Sequence, residues 1–98
     1  MEIIKKYINQ QGNEVGYAEL LDNSEYIYCK YIEIYPQYRK SNYATMFVDS
    51  ILNEIDKPLR YSITGVESSG GRFWAKYTKD KKVKQIKKNT FEIAWQII

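Results

Sequence analysis

The part of the chain best equipped for chemistry is Ile32-Glu33-Ile34-Tyr35-Pro36-Gln37-Tyr38-Arg39-Lys40-Ser41-Asn42-Tyr43-Ala44. It reads as a hydrophobic strand, a short basic turn and the opening of a helix. Physically that combination is an anion site. Unpaired amides at a helix start point outward, the macrodipole favours negative charge there, and Arg39 and Lys40 add full positive charges. The same residues equally describe a polar loop leading into a well-capped helix, and these features alone leave both readings open. Other chemistry is narrowed by composition. The chain has no histidine, which removes Ser-His-Asp and Cys-His catalysis and every histidine-ligated metal site, so no metal is expected. The single cysteine, Cys29, excludes an intrachain disulfide framework, reads as a small buried hydrophobe and fits a reducing cytoplasm. Carboxylates, lysines, tyrosines and backbone groups remain as the agents of any reaction.

The elements that position this stretch follow from periodicity. Ile3 to Asn9 reads as a first strand, Gln10-Gln11-Gly12-Asn13 as a hairpin turn with Gly and Asn supplying positive φ, and Val15 to Leu21 as the returning strand. Tyr26 to Tyr35 is a long strand, with Tyr26, Tyr28, Ile32 and Ile34 on one face and Ile27, Cys29, Tyr31 and Tyr35 on the other. Two apolar faces predict a central strand, and Pro36 stops it. Ala44, Phe47, Val48, Ile51, Leu52 and Ile55 fall at spacings of three and four, an amphipathic helix capped by Ser41 or Asn42 and ended by Lys57-Pro58. Leu59 to Val66 reads as a strand, Arg72 to about Gln85 as a second helix with Phe73, Trp74 and Tyr77 inward, and Thr90 to Ile98 as a final strand. The expected fold is a single α/β (α+β) domain over residues 1–98, in the order β-β-β-α-β-α-β. A parallel crossover between the third and fourth strands makes its sheet mixed.

With 98 residues, 44% of them apolar and 28% charged, the chain has room for one core and an ordinary globular composition. No apolar run approaches the roughly 18 residues of a membrane helix, and the charged opening is unlike a signal peptide. A cytoplasmic protein without a membrane partner is therefore expected. The net charge of +3 is unevenly spread: residues 79–88 hold six lysines and one aspartate. Such a run is a solvated helix face or loop in the bland reading, and a contact to a phosphate-bearing partner in the sharper one.

The loop resembles the acyl-coenzyme A loop of the GNAT family, the GCN5-related N-acetyltransferases, whose pattern runs Pro-x-Tyr-Arg-Gly-x-Gly-x-Gly or Ala between a strand and a helix. Pro36, Tyr38, Arg39 and Ala44 match it, while Asn42 replaces the middle glycine. Asparagine is among the non-glycine residues that best tolerate positive φ, so the turn survives the exchange. Arg72-Phe73-Trp74-Ala75-Lys76-Tyr77 is similar to the family's Phe-Tyr-x-Lys-x-Gly-Phe helix, and the element order also agrees over nearly the whole chain. Trp74 stands where many members place the tyrosine that protonates the leaving thiolate, and an indole N–H is no useful acid. Glu67 falls where a family asparagine lies, and the closing Gly-Phe becomes Thr78-Lys79. Relative to longer members, the first strand and two helices are missing.

The resemblance implies an acetyltransferase using acetyl-CoA as co-substrate and acting on a primary amine of a protein or a small molecule. It implies pantetheine beside Ile32 and Ile34, a backbone N–H near Ile34 on the thioester carbonyl, and pyrophosphate on Arg39, Lys40, Ser41, Asn42, Tyr43 and Ala44. The amine attacks directly and must first lose a proton, for which Glu33, or Glu67 through a water, is the candidate base. Tyr77 is the candidate acid beside water itself. Bland readings stand next to these: Glu33 as a strand end, and Phe73, Trp74 and Tyr77 as core. The alternative function is a non-catalytic module of the same fold, binding a protein or, as the weaker case, a nucleic acid through tyrosine-bearing strands and lysines. Exposed strand edges leave room for a homodimer.

Overall fold

The structure is a computed structural model that describes residues 1–39, 41–62 and 68–93, and only the backbone of 68–72. Its strands are β1 (Glu2–Ile8), β2 (Glu14–Asp22), β3 (Ile27–Ile34), β4 (Leu59–Ser62), β5 (Val83–Lys87) and β6 (Thr90–Ile93). The helices are α1 (Tyr43–Glu54) and α2 (Ser68–Tyr77), and a short 3-10 turn covers Pro36–Tyr38. The strands form one sheet in the order β1-β2-β3-β4-β6-β5, antiparallel throughout except for the parallel β3–β4 pair. That parallel pair demands a crossover, and α1 is the crossover.

Local sequence explains most of these elements. In the first hairpin Gly12 takes φ 86°, and the Asn9 side chain accepts from the amides of Gln11 and Asn13 at 3.0 and 2.9 Å. Asn9, rather than Asn13, therefore organises the turn. The apolar stripe of α1 buries Phe47, Val48 and Ile51. They close a core with Leu20, Ile27, Leu59, Trp74 and Ile93. Fully burying one such side chain contributes roughly 1.5–3 kcal/mol.

Two expectations are corrected. The single alternation expected along Tyr26 to Tyr35 is broken by a β-bulge: Leu20 pairs with Cys29 and Glu19 with Tyr31, leaving Lys30 unpaired. The extra residue reverses the alternation. Ile27 and Cys29 face the core before it, Ile34 faces the core after it, and Ile32 packs against the same cluster. Tyr31 and Glu33 consequently leave the core face. The second correction concerns residues 78–88. The helix expected to run to Gln85 stops at Tyr77, where the Thr78 hydroxyl and amide both donate to the Trp74 carbonyl at 2.7 and 3.0 Å. Residues 83–87 then form β5, hairpinned to β6 through Lys88 and Asn89. The lysine run is thus divided between the turns on either side and the edge strand β5, which holds Lys84 and Lys87, and solvated charge on that edge opposes pairing with other chains. Of the expected strands Leu59 to Val66 and Thr90 to Ile98, the portions 63–66 and 94–98 lie outside the described residues.

Gly16 lies opposite Ile34 in the β2–β3 ladder. A Cβ there would run into the Glu33 carbonyl oxygen and come within 2.8 Å of Ile34 Cδ1. Because the first obstacle is backbone, relief requires moving β3. Gly16→Ala is expected to destabilise the protein by about 1–3 kcal/mol in urea denaturation, and an unchanged midpoint would contradict this packing.

Candidate functional site

The segment from β3 to α1 is shaped by a few local choices. Pro36 opens the 3-10 turn, where its missing N–H costs nothing. The Arg39 Nε then reaches back and donates to the Ile34 carbonyl oxygen at 2.8 Å, closing the turn onto the strand it left. The Tyr35 amide donates across to Val15. Since strand groups alternate sides, the backbone N–H and C=O of Ile34 point away from β2. Arg39 takes the carbonyl, which leaves the N–H directed toward the open side of β3.

Asn42 occupies the N-cap position of α1 with φ 65° and ψ 13° and makes no side-chain capping bond. Among the described residues it is the one non-glycine in the left-handed region. The expected capping function of Ser41 or Asn42 is therefore replaced by a turning function. The first helical bond runs from the Met46 amide to the Asn42 carbonyl at 3.2 Å. The amides of Tyr43, Ala44 and Thr45 precede it at the positive end of the helix dipole. Edge contacts to Tyr7 and Tyr38, at 6.2 and 6.1 Å between centroids, hold the Tyr43 ring.

These groups line a cavity of about 230 Å³. Ile34, Tyr38, Arg39 and residues Asn42 to Thr45 form one wall, and Phe73, Lys76 and Tyr77 of α2 form the other. Helical spacing puts those three side chains on one face. The Tyr77 hydroxyl donates to Asp49 Oδ1 at 2.6 Å, which ties α2 to α1. Burial, reinforced by that carboxylate, raises the phenol well above the ordinary tyrosine value. Tyr77 therefore holds its proton firmly. Two cationic side chains, Arg39 and Lys76, flank the cavity, whose volume suits a phosphate-sized or slender group rather than an entire nucleotide.

Six of the residues expected from sequence thus meet at one place: Ile34, Arg39, Asn42, Tyr43, Ala44 and Tyr77. Ile32 is half-buried against the core, and Ser41 is exposed. Glu33 is on the opposite face of the sheet, where its carboxylate accepts from the Tyr31 hydroxyl at 2.6 Å. Lys40 and Glu67 lie outside the described residues. Lys76 was missed as a site residue, although its spacing from Phe73 and Tyr77 already placed it on the same helix face. Trp74 is a core residue, stacked on Tyr61 at 4.1 Å and 8°. Burial pushes the Cys29 thiol up to about 12, as suits an inert interior residue. Among the described residues no group of three or more Cys, Asp or Glu side chains is placed to hold a metal ion.

No family model matches the chain, and no curated protein matches it in sequence. A solved structure from Bacteroides thetaiotaomicron, assigned to the GNAT family of acetyltransferases, matches its fold with a TM-score of 0.64 at 13% identity. The match covers 93% of this chain and 60% of that structure's chain. The chain therefore has a GNAT-like fold and spans about three-fifths of the length of that neighbour.

The left-handed conformation of Asn42 makes a direct prediction. Asn42→Gly should leave stability equal or slightly higher, whereas Asn42→Val should lower it by about 1–2 kcal/mol, because a β-branched side chain is strained at positive φ. Chemical denaturation of the two variants checks this, and equal midpoints would contradict the assigned turn.

Proposed function

We propose that the protein is an N-acetyltransferase that uses acetyl-CoA and a primary amine acceptor. The observation that carries this reading is the cavity joining the Asn42 turn and the Tyr43–Thr45 amides to Arg39 and Lys76, in a chain of GNAT-like fold. When bound, the coenzyme supplies an activated acyl group as a thioester. The amides at the start of α1 receive pyrophosphate, with Lys76 and the guanidinium of Arg39 neutralising it. Ile32 and Ile34 line the path of the pantetheine arm, and the Ile34 N–H donates to the acyl carbonyl oxygen. Lys40 and Ser41 complete the anion-binding turn in this reading.

Glu33 serves as base, taking the proton of the acceptor ammonium on a carboxylate oxygen, with Glu67 as the alternative. Tyr77 is a poor acid as placed, because its proton is shared with Asp49 and its phenol is held high. Water then protonates the departing sulfur. The burial of Trp74 at the family's acid position favours a second reading, a coenzyme-binding module that performs no transfer.

Calorimetric titration with acetyl-CoA, beside acetyl-pantetheine lacking pyrophosphate and nucleotide, tests the proposal. Micromolar binding of the full coenzyme with loss in the truncated compound is expected. Lys76→Ala should weaken binding about tenfold, the worth of one charge-assisted contact, without lowering the melting temperature. Absence of binding at millimolar acetyl-CoA would remove the proposal, and binding without transfer to any amine would establish the second reading.

A further inference from the structure

Strand β1 forms one end of the sheet, and among the described residues no strand lies against its outer side. The Met1 carbonyl accepts from the Asp22 amide at 2.8 Å, so the backbone of Met1 is directed toward β2. Backbone groups alternate sides along a strand. Ile3, Lys5 and Tyr7 therefore serve the β1–β2 ladder, while the N–H and C=O groups of Glu2, Ile4 and Lys6 point outward. Side chains alternate with the same period. Tyr7 stacks on Phe47 and Lys5 pairs with Glu54 of α1, which places the odd-numbered side chains on the helix face. Glu2, Ile4 and Lys6 consequently lie on the other face, where Ile4 is 53% exposed.

An open row of amides and carbonyls is a template for another strand. The residues along this one favour a second copy of the same strand running antiparallel to it. With Ile4 opposite the partner's Ile4, the outward groups of Glu2, Ile4 and Lys6 all meet outward groups across a two-fold axis. Glu2 then faces the partner's Lys6, and Lys6 faces the partner's Glu2. Within the chain Glu2 already lies 3.6 Å from Lys30, and Lys6 lies 3.6 Å from Glu14. The joined row reads Lys30, Glu2, the partner's Lys6 and the partner's Glu14, alternating in sign at each step.

Other registers are poorer. Sliding so that Ile8 meets the partner's Glu2 sets Lys5 against the partner's Lys5, and like charges directly opposite are unfavourable. Sliding the other way, to centre on Ile3, shortens the overlap and leaves Lys6 unopposed. Charge thus selects both the occupant and its register. The opposite end of the sheet offers no such match, because β5 (Val-Lys-Gln-Ile-Lys) carries lysines and no carboxylate.

We infer that the protein forms a two-fold symmetric homodimer by antiparallel pairing of β1 with the partner's β1, centred on Ile4. A two-fold contact of this kind closes on itself and stops at two copies. None of the residues lining the cavity between the Asn42 turn and α2 belongs to β1, so the dimer stands independently of the acetyltransferase reading.

Sedimentation equilibrium of the full chain, from micromolar to millimolar concentration, tests this. A monomer–dimer equilibrium that weakens as salt rises is expected. Ile4→Pro removes the central outward donor, which the β1–β2 ladder does not use, and proline is tolerated on such an edge. It should abolish the dimer while the circular dichroism spectrum is retained. Glu2→Lys and Lys6→Glu should each weaken self-association by about tenfold, since each sets like charges opposite one another twice in the dimer. An equal mixture of the two variants should regain the parent affinity as a heterodimer, because every cation then faces a carboxylate. Misfolding of either variant cannot produce that recovery. A chain that stays monomeric at millimolar concentration, association that continues beyond two copies, or a dimer indifferent to Ile4→Pro and to the charge exchange would overturn the inference.

Discussion

The β-bulge at Lys30 is the constraint on which the arrangement depends. Strand alternation has a period of two, so an uninterrupted β3 that buried Ile27 and Cys29 would also drive Tyr31 and Glu33 into the core. One unpaired residue resets the phase. Ile32 and Ile34 then pack toward the helices, and Tyr31 and Glu33 turn to the other face. The bulge thereby gives two successive residues separate roles, with Ile34 on the cavity wall and the Glu33 carboxylate across the sheet. Gly16 supports the same construction by allowing β2 to approach the Glu33 carbonyl where any Cβ would collide.

From that strand end the remaining geometry follows in short steps. Pro36 prevents further pairing, the Arg39 guanidinium fastens the turn to the Ile34 carbonyl, and Asn42 reverses the chain through positive φ. The first amides of α1 are left uncapped beside two cations. Arg39 consequently has a dual position: its Nε is a structural fastener, and its charge faces the cavity. Lys76 projects from an exposed part of α2, and among the described residues its side chain makes no comparable fastening bond. The second wall is placed by the Tyr77–Asp49 bond, which spans the two helices, and by Trp74, whose stack on Tyr61 anchors α2 to the sheet.

The two sheet faces divide the chemistry. The helix face offers positive charge and helix amides in a narrow cavity, suited to a phosphate-bearing group. The other face over β1–β3 carries Tyr17, Tyr31 and Tyr35, with Tyr31 and Tyr35 donating to Glu33 and Glu14.

Much of this was legible in the sequence. The first three strands, α1, the Pro36 break and the tolerance of Asn42 for positive φ are short-range properties, set by hydrophobic period, turn chemistry and local sterics. For the same reason Ile34, Arg39, Asn42, Tyr43 and Ala44 could be named together as one candidate loop. The bulge at Lys30 could not be read, because a register shift is a relation between two strands and leaves no mark in the pattern of one. Residues 83–87 looked helical or solvated for a similar reason: a lysine-rich segment becomes a strand through pairing with β6, which local propensity does not encode. The convergence of Lys76 and Tyr77 on the loop, the diversion of the Tyr77 proton to Asp49 and the assembly of Tyr17, Tyr31 and Tyr35 were decided only by tertiary structure. In each case the deciding contact joins residues from different elements, where distance is set by packing rather than by spacing along the chain.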